Sequence, residues 1–400
     1  MRTFLLALSV LCALAGGSAS AQNVLRIGVL NDMSGVYSDD QGPGSVLAAQ
    51  MAVEDFGGTV AGRKVEVVSG DHQNKTDLGA QIARGWLDND GVEMIADLPN
   101  SAIALAVSEI VRDRNKVMIA SGAGTSLLTG ARCSPNTVHW TYDTWAYGHG
   151  LARAVIGQGV KSVFFITADY AFGQDLEKQF SDEAVKEGAK VLGSARHPLG
   201  ASDFSSLLLQ AQSSGADAVA FANAGGDTTN SLKQAREFGL APRQKLLALI
   251  MGQNNVHALG LAASQGTMLV VPFYWDMTDA TRAFAQRFQA RHPKHLMPND
   301  MHAGVYAGVL HYLKAVAKVG GAADGKAVVA AMKAMPTDDP LFGKGTIRAD
   351  GRKIHPMYLF DVKTPAESKG PWDFYKLVST IPAEQAFRPL ADGRCPLVTN

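Results

Sequence analysis

Residues 162–195 read SVFFITADYAFGQDLEKQFSDEAVKEGAKVLGSA. Ser162–Thr167 is a short apolar run of strand length, Phe172–Glu187 a helix, and Lys190–Ala195 a second strand. A strand that returns after a helix of this length belongs to a parallel sheet covered by helices. The same grammar continues outward. Helices are predicted at Thr144–Gly157, Phe204–Ser213 and Thr228–Phe238, with strands at Ala218–Ala222 and Lys245–Ile250.

An earlier series obeys the same rule. Strands are predicted at Leu25–Leu30, Lys64–Ser69, Val92–Ala96 and Lys116–Ala120. Helices between them cover Gly44–Phe56, Asp77–Asp88 (capped by Thr76 or Asp77) and Ser101–Asp113. A third region, Thr267–Ala334, reads as mainly helical, and the last sixty or so residues as strands and loops. Two such series in a chain too long for one core describe an α/β protein with two doubly wound lobes. No Pro-, Gly- or Ser-rich tether separates them, which suits a hinge made of structured crossings.

The N-terminus has the three-part pattern of an export leader. Arg2 supplies the charge, Phe4–Ala15 the apolar stretch, and Ala19-Ser20-Ala21 the small residues at a cleavage point before Gln22. Residues 1–21 are therefore expected to be a signal peptide, and the protein to work in the periplasm. Cys12 falls in the apolar stretch after Leu11, a poor context for lipidation. No later segment has the roughly twenty continuous apolar residues of a membrane span, so direct membrane insertion is not expected. Removing the leader takes away one basic residue and no acidic one, so 37 basic and 37 acidic residues become 36 and 37, a net charge of −1. That balance argues against nucleic acid or an anionic membrane as partner. Cys133 and Cys395 remain, and an even pair in an oxidising compartment suggests one disulfide, with two free thiols as the alternative.

Signatures of catalysis are missing from the mature sequence. The first strand runs into Asn31-Asp32-Met33-Ser34-Gly35, not G-x-G-x-x-G. There is no phosphate-binding loop, no H-E-x-x-H and no G-x-S-x-G elbow. Gly42-Pro43-Gly44 reads as a turn into a helix, and Asp71-His72 as a hydrogen-bonded turn at a strand end. The expectation is a binding protein with no enzyme activity, cofactor or metal.

Several strand-end segments resemble the leucine/isoleucine/valine-binding protein family, the periplasmic solute receptors of branched-chain amino acid type ABC transporters. They are Asn31–Gly35, Asp97–Ser101, Ile119–Thr125, Thr167–Gly173 and Phe221–Asp227. The resemblance covers essentially the whole mature chain. It implies the type 1 periplasmic binding protein fold, with crossings near Tyr142, Phe273 and Phe342. Lobe one would be 22–142 with 273–342, lobe two 143–272 with 343–385, and 386–400 a tail returning towards Cys133. It also implies a monomer that delivers its solute to a membrane permease.

Ligands of open α/β sheets bind outside the carboxyl ends of the strands. Asn100 and Ser101 precede a helix whose first amides can hold a carboxylate, and Ser121–Gly124 is a small-residue loop that permits close approach; the resemblance puts the carboxylate at Ser101, Gly122, Ala123 and Gly124. Ser101 reads equally as a helix cap. Gly124 stands where the family has a threonine. In the second lobe Tyr170, Phe172, Gly225, Gly226 and Asp227 occupy strand-end loops, with Asp227 either a cap or a contact. Tyr37, Tyr142, Tyr274 and Trp275 are candidate walls, and His302 is a polar contact or a capping residue. The family places an acid for the substrate ammonium after the strand ending Leu249–Gly252, but here the loop continues Gln253-Asn254-Asn255. Either Asp227 takes that role or the solute has no amino group. Gly70–Lys75 and His139–Asp143 resemble receptors for hydroxycinnamates and benzoates, so the expected solute is an aromatic acid, with an amino acid as the alternative.

Overall fold

The computed structural model describes residues 24–241 and 243–399; the leader, and with it the reading of Cys12, lies outside them. The first series builds β1 (Val24–Asn31), α1 (Gly42–Phe56), β2 (Thr59–Val60), β3 (Arg63–Asp71), α2 (Thr76–Asp88), β4 (Val92–Asp97), α3 (Ser101–Asp113), β5 (Val117–Ala120) and β6 (Thr137–His139). These strands form one sheet in the order β2-β3-β1-β4-β5-β6, parallel except for the β2–β3 pair.

The chain then passes into α4 (Thr144–Gly157), β7 (Ser162–Ala168), α5 (Ala171–Lys186), β8 (Lys190–His197), α6 (Ser205–Ser213), β9 (Ala218–Ala222), α7 (Gly225–Glu237), β10 (Lys245–Ala248) and α8 (Gln253–Leu259). Their strands lie in the order β10-β9-β7-β8 and all pair in parallel. After the short α9 (Leu261–Ser264) comes β11 (Met268–Val271), inside the stretch read from sequence as mainly helical. It pairs antiparallel with β15 (Met357–Val362), which pairs with β16 (Tyr375–Ile381). A buried run of four residues has no periodicity to separate strand from helix, which is why β11 was missed.

Helices α10 (Asp279–Arg291), α11 (Asp300–Val319) and α12 (Gly325–Ala334) return to the first lobe. Every residue of α11 from Asp300 to Val309 is buried, and Val305, Val309, Leu313 and Val316 pack beside Leu47, Met51 and Ile119. The strands β12 (Thr337–Asp339), β13 (Gly343–Ile347) and β14 (Lys353–Ile354) make a small sheet whose Leu341, Phe342 and Ile347 join that same core. Phe342 is thus packed within the first lobe, and the third passage between lobes falls later, at Arg352–Pro356.

That passage is clamped. The fully buried Arg352 donates from its Nη2 to Trp140 O (2.6 Å) and from its Nη1 to Tyr142 O (2.8 Å). His355 Nε2 lies 2.9 Å from Thr141 O. Two crossings are therefore held side by side by a cation whose hydrogen bonds all go to backbone carbonyls, the arrangement that makes its burial tolerable. The sulfurs of Cys133 and Cys395 are bonded, with Cα atoms 5.6 Å apart, which fixes the tail to the loop between β5 and β6.

Candidate functional site

Each parallel sheet has one place where successive connections leave in opposite directions. In the first it lies between β1 and β4, because β1 is flanked by β3 and β4. In the second it lies between β7 and β9, because β7 is flanked by β8 and β9. Crevices open at such points outside the strand ends. Here the two crevices face each other. The loop after β1 meets the loops after β7 and β9: Gly226 N donates to Val36 O (2.9 Å), and the Tyr37 and Tyr170 hydroxyls are hydrogen-bonded.

Further contacts bridge the lobes. Asn254 Nδ2 donates to Asp39 O (2.7 Å) and Gln253 Nε2 to Pro298 O (2.6 Å). Tyr147 of α4 donates to Asp300 Oδ2 at the start of α11 (2.7 Å). Asp175 of α5 accepts from Ser126 N (2.7 Å) and from Thr125 Oγ1 (3.1 Å). The lobes are therefore closed on one another. Between them lies a cavity of about 10 Å³, lined by Tyr37, Asp40, Gln41, Pro99, Gly122, Tyr142, Phe172, Ala224 and Met301. That is about the space of one water, so any larger solute enters by separation of the lobes. Larger grooves, of about 300–550 Å³, run along the outer surface beside Trp145 and His149. They run between α4, α5, β16 and the tail, outside both switch-point crevices, so the small cavity is the better candidate despite its size.

The local backbone explains the cavity's shape. Asp97 and Leu98, at the end of β4, both have left-handed φ, 83° and 62°. Such strain costs about 1–3 kcal/mol per residue. It turns the chain so that Leu98 N reaches Leu30 O (3.0 Å) and Asp97 O accepts from Gly122 N (3.1 Å). A Cβ at Gly122 would lie 2.3 Å from Gln41 Oε1, and one at Gly124 would lie 2.8 Å from the Phe172 ring. The small residues of this loop thus admit side chains from both lobes.

The sequence-predicted residues divide. Tyr37, Gly122, Tyr142 and Phe172 line the cavity, with Tyr170 and Gly226 on its rim through their bonds to Tyr37 and Val36. Tyr142 donates to Gly122 O (2.7 Å). The amides of Ala123 and Gly124 make no hydrogen bond within the described residues, and Ser121 Oγ has no partner there. Ser101 is not the cap of α3: Asn100 is, accepting from Ala102 N and Ile103 N, while Ser101 Oγ accepts from Thr125 N. The helix begins at Ser101, as predicted, so the residue before it, Asn100, holds the cap position. Neither Thr76 nor Asp77 caps α2 by a side-chain bond; Lys75 stands at that position. Asp227 is no cap either. It sits in the first turn of α7 and accepts from Gly200 N (3.1 Å), its carboxyl pushed up to about 6 by burial. His302 lies under α1: its Nε2 is 3.1 Å from Gln41 O, its Nδ1 accepts from Asn299 N, and burial holds its pKa down to about 3. It is a neutral packing residue of the capping box that opens α11. Tyr274 and Trp275 donate to Trp372 O and pack away from the cavity. Asp71 and His72 each accept from a backbone amide within their own turn, from Gln73 N and Asn74 N.

Asp40, Gln41, Pro99, Ala224 and Met301 line the cavity without having been singled out. Asp40 and Gln41 stand just before α1, on the loop that follows the first strand of the switch point, and that position was the available signal. Asp40 is pushed up to about 7, first by burial and then by Asp300, while the amides of Asn254 and Asn299 pull the other way. Asp300 rises to about 6 and Asp97 to about 7, both chiefly by burial. No lysine or arginine lines the cavity. Among the described residues no helix is long and apolar enough to cross a membrane.

Two doubly wound lobes closed over a cavity at their facing strand ends define a two-lobed solute-binding protein. The sequence of residues 24–371 matches the periplasmic binding protein family, and the chain belongs to that family, in its branched-chain amino acid type. It is similar to a periplasmic binding protein from Burkholderia mallei, with 49% identity, coverage of 94% of this chain and 100% of the other, and a TM-score of 0.92. A branched-chain amino acid ABC transporter periplasmic ligand-binding protein from Burkholderia xenovorans LB400 is 40% identical, with 93% and 99% covered and a TM-score of 0.81. A Leu/Ile/Val-binding protein homolog 6 from Brucella melitensis is 26% identical over 84% of this chain and 86% of its own length. These relatives are binding proteins by name.

Proposed function

We propose that this chain is the periplasmic receptor of an ABC importer, which traps a small organic solute between its lobes and presents the closed form to a membrane permease. The observation that carries this reading is the meeting of two switch-point crevices around one cavity. Closure follows from differential affinity: a solute touching both lobes stabilises the shut form over the open one. The protein works as a monomer, and its leader is cleaved before Gln22.

For the solute we propose a carboxylate on a flat, aromatic body. The Ala123 and Gly124 amides and the Ser121 hydroxyl supply donors for a carboxylate. Phe172, Tyr142 and Tyr37 supply ring faces on either side of the cavity. Calorimetry against benzoates, hydroxycinnamates and branched-chain amino acids, with small-angle scattering to follow closure, tests both halves. Binding that compacts the protein is expected for aromatic members of the panel. Tight leucine binding with no aromatic binding would remove the aromatic body, and no binding with no compaction would remove the receptor itself.

A further inference from the structure

The lobes are joined once more after the third crossing. Strand β16 belongs to the second lobe, whose core holds Tyr375 with Leu359 and Phe360. Past Ile381 the chain makes one helical turn, α13 (Ala383–Ala386), and returns to the first lobe. It is held there at several points. Arg388 Nη2 donates to Ser126 O (3.1 Å), and Arg348 Nη1 donates to Arg388 O (2.8 Å). Gly393 packs so closely on the same loop that a Cβ would lie 3.1 Å from Thr129 O. Cys395 is then bonded to Cys133. On the way, the Phe387 ring covers the Arg352 guanidinium (4.5 Å) and faces His355, so this fourth passage runs beside the third.

The far anchor sits on a contact that opening must break. Ser126 accepts from Arg388 on its carbonyl and donates its amide to Asp175 of α5, in the other lobe (2.7 Å). Parting of the lobes draws α5 away from Ser126, while Arg388 and Cys395 stay with it. The near anchor moves with the second lobe: a Cβ on Gly150 of α4 would lie 3.3 Å from Ile381 Cδ1. Residues 382–387 therefore have to span the widening gap. The four residues of α13 rise about 1.5 Å each and would reach about 3.4 Å each if drawn out, a slack of roughly 8 Å. Hydrogen bonds such as that of Arg388 can peel away one at a time, but the covalent bridge cannot. We infer that residues 382–395 are a strap, anchored by the Cys133–Cys395 bridge, that limits how far the two lobes part. It holds the unliganded lobes near their closing distance, so a solute that touches one lobe finds the other within reach. The inference rests on the receptor reading, since a strap matters only where lobes separate.

Spin labels carried on unnatural amino acids at Leu127 and Asp182, exposed residues of the first and second lobe, report the gap by electron–electron resonance without using a cysteine. Three proteins are compared: the oxidised wild type, Cys133→Ser with Cys395→Ser, and a variant with six Gly and Ser residues inserted after Pro382. The insertion keeps the bridge but adds about 20 Å of reach. Without solute, both variants should show distances that extend past the wild-type limit by about 5 Å or more, a quarter of that added reach. Saturated with the tightest binder among the benzoates, hydroxycinnamates and branched-chain amino acids, all three should return to one short distance. Thermal melts show that the variants are folded. Variants that open no wider than wild type would overturn the strap and leave the receptor reading standing. Widening in the cysteine variant alone would also overturn it, because the cause would then be a loosened first lobe and not a tether. If no solute shortens the distance in any of the three proteins, the receptor reading falls and the strap with it.

Discussion

Tyr37 and Tyr170 meet hydroxyl to hydroxyl across the cleft, one on the loop after β1 and the other on the loop after β7. Each belongs to a different lobe, so this bond exists only when the lobes are shut. Burial and the partner tyrosine hold the Tyr37 hydroxyl well above its ordinary pKa, and Tyr170 is raised too, so both are neutral at any physiological pH. A neutral pair of this kind contributes about 0.5–1.5 kcal/mol net.

The double substitution Tyr37→Phe with Tyr170→Phe removes both hydroxyls and leaves neither unpaired. The closed form should lose about 1 kcal/mol relative to the open one, which appears as roughly a fivefold loss of solute affinity. A single Tyr170→Phe should cost at least as much, because the Tyr37 hydroxyl is then buried alone. Calorimetry of the three variants orders them; a single variant that binds better than the double would contradict the pairing.

Closure can also be blocked sterically. Gly225 has φ +60°, and a Cβ there would sit 2.3 Å from Val36 O, an atom of the other lobe. Gly225→Ala therefore carries two costs of different kinds. The left-handed backbone costs about 1–2 kcal/mol in either conformation. The clash arises only on closing, against backbone that cannot rotate away. Solute affinity should fall by more than tenfold, while the melting temperature drops only by the amount that about 1–2 kcal/mol implies. Small-angle scattering should find the variant open in the presence of saturating solute.

The fold was legible because buried parallel strands are written as short apolar runs between helices, and Ser162–Thr167 or Val92–Ala96 can hardly be read otherwise. Strand β11 was not, since four buried residues have no period to betray them. The site was half legible. Tyr37, Gly122, Tyr142 and Phe172 sit on loops that the strand-end rule selects. His302 and Tyr274 have the residue types of ligand contacts, yet both are spent on packing. An acid before a helix reads as an ordinary first-turn charge, and Asp40's raised pKa is a property of what surrounds it in space, burial beside Asp300, only partly offset by the Asn254 and Asn299 amides.

Cys133 and Cys395 close a loop with a sequence separation of 262. A crosslink of that span restricts the unfolded chain by up to about 5 kcal/mol in the chain-entropy account. Replacing both by serine should lower the melting temperature by several degrees, and wild-type protein under strong reductant should follow it down. Solute affinity should change little, because the bridge joins the tail to the β5–β6 loop and touches no cavity residue. A variant that melts like the oxidised wild type would show the bridge to be thermodynamically idle.

Asp40 gives a pH dependence whose sign can be worked out. Its pKa rises from 3.8 in the unfolded chain to about 7 in the shut cleft. Between those values the folded protein holds a proton that the unfolded chain has released, so stability declines as pH rises through this window. Above pH 7 the charged carboxylate is buried beside Asp300 and Asp39, with the neutral Tyr142 and Tyr375 nearby and the Asn254 and Asn299 amides favouring its charge. The many buried histidines pull the opposite way below about pH 6.5, so the wild-type melting curve alone does not isolate Asp40. The difference between wild type and Asp40→Asn does. Without solute the variant should be the more stable protein at pH 8, by on the order of 2–4 kcal/mol at about 1.4 kcal/mol per pKa unit. The gap should narrow steadily to roughly 1.6 kcal/mol at pH 5 and close only below the unfolded pKa of 3.8. Melting curves at pH 3.5, 5, 6, 7 and 8 would measure it, and a variant less stable than wild type at pH 8 would mean that the Asn254 and Asn299 amides outweigh burial and the neighbouring acids.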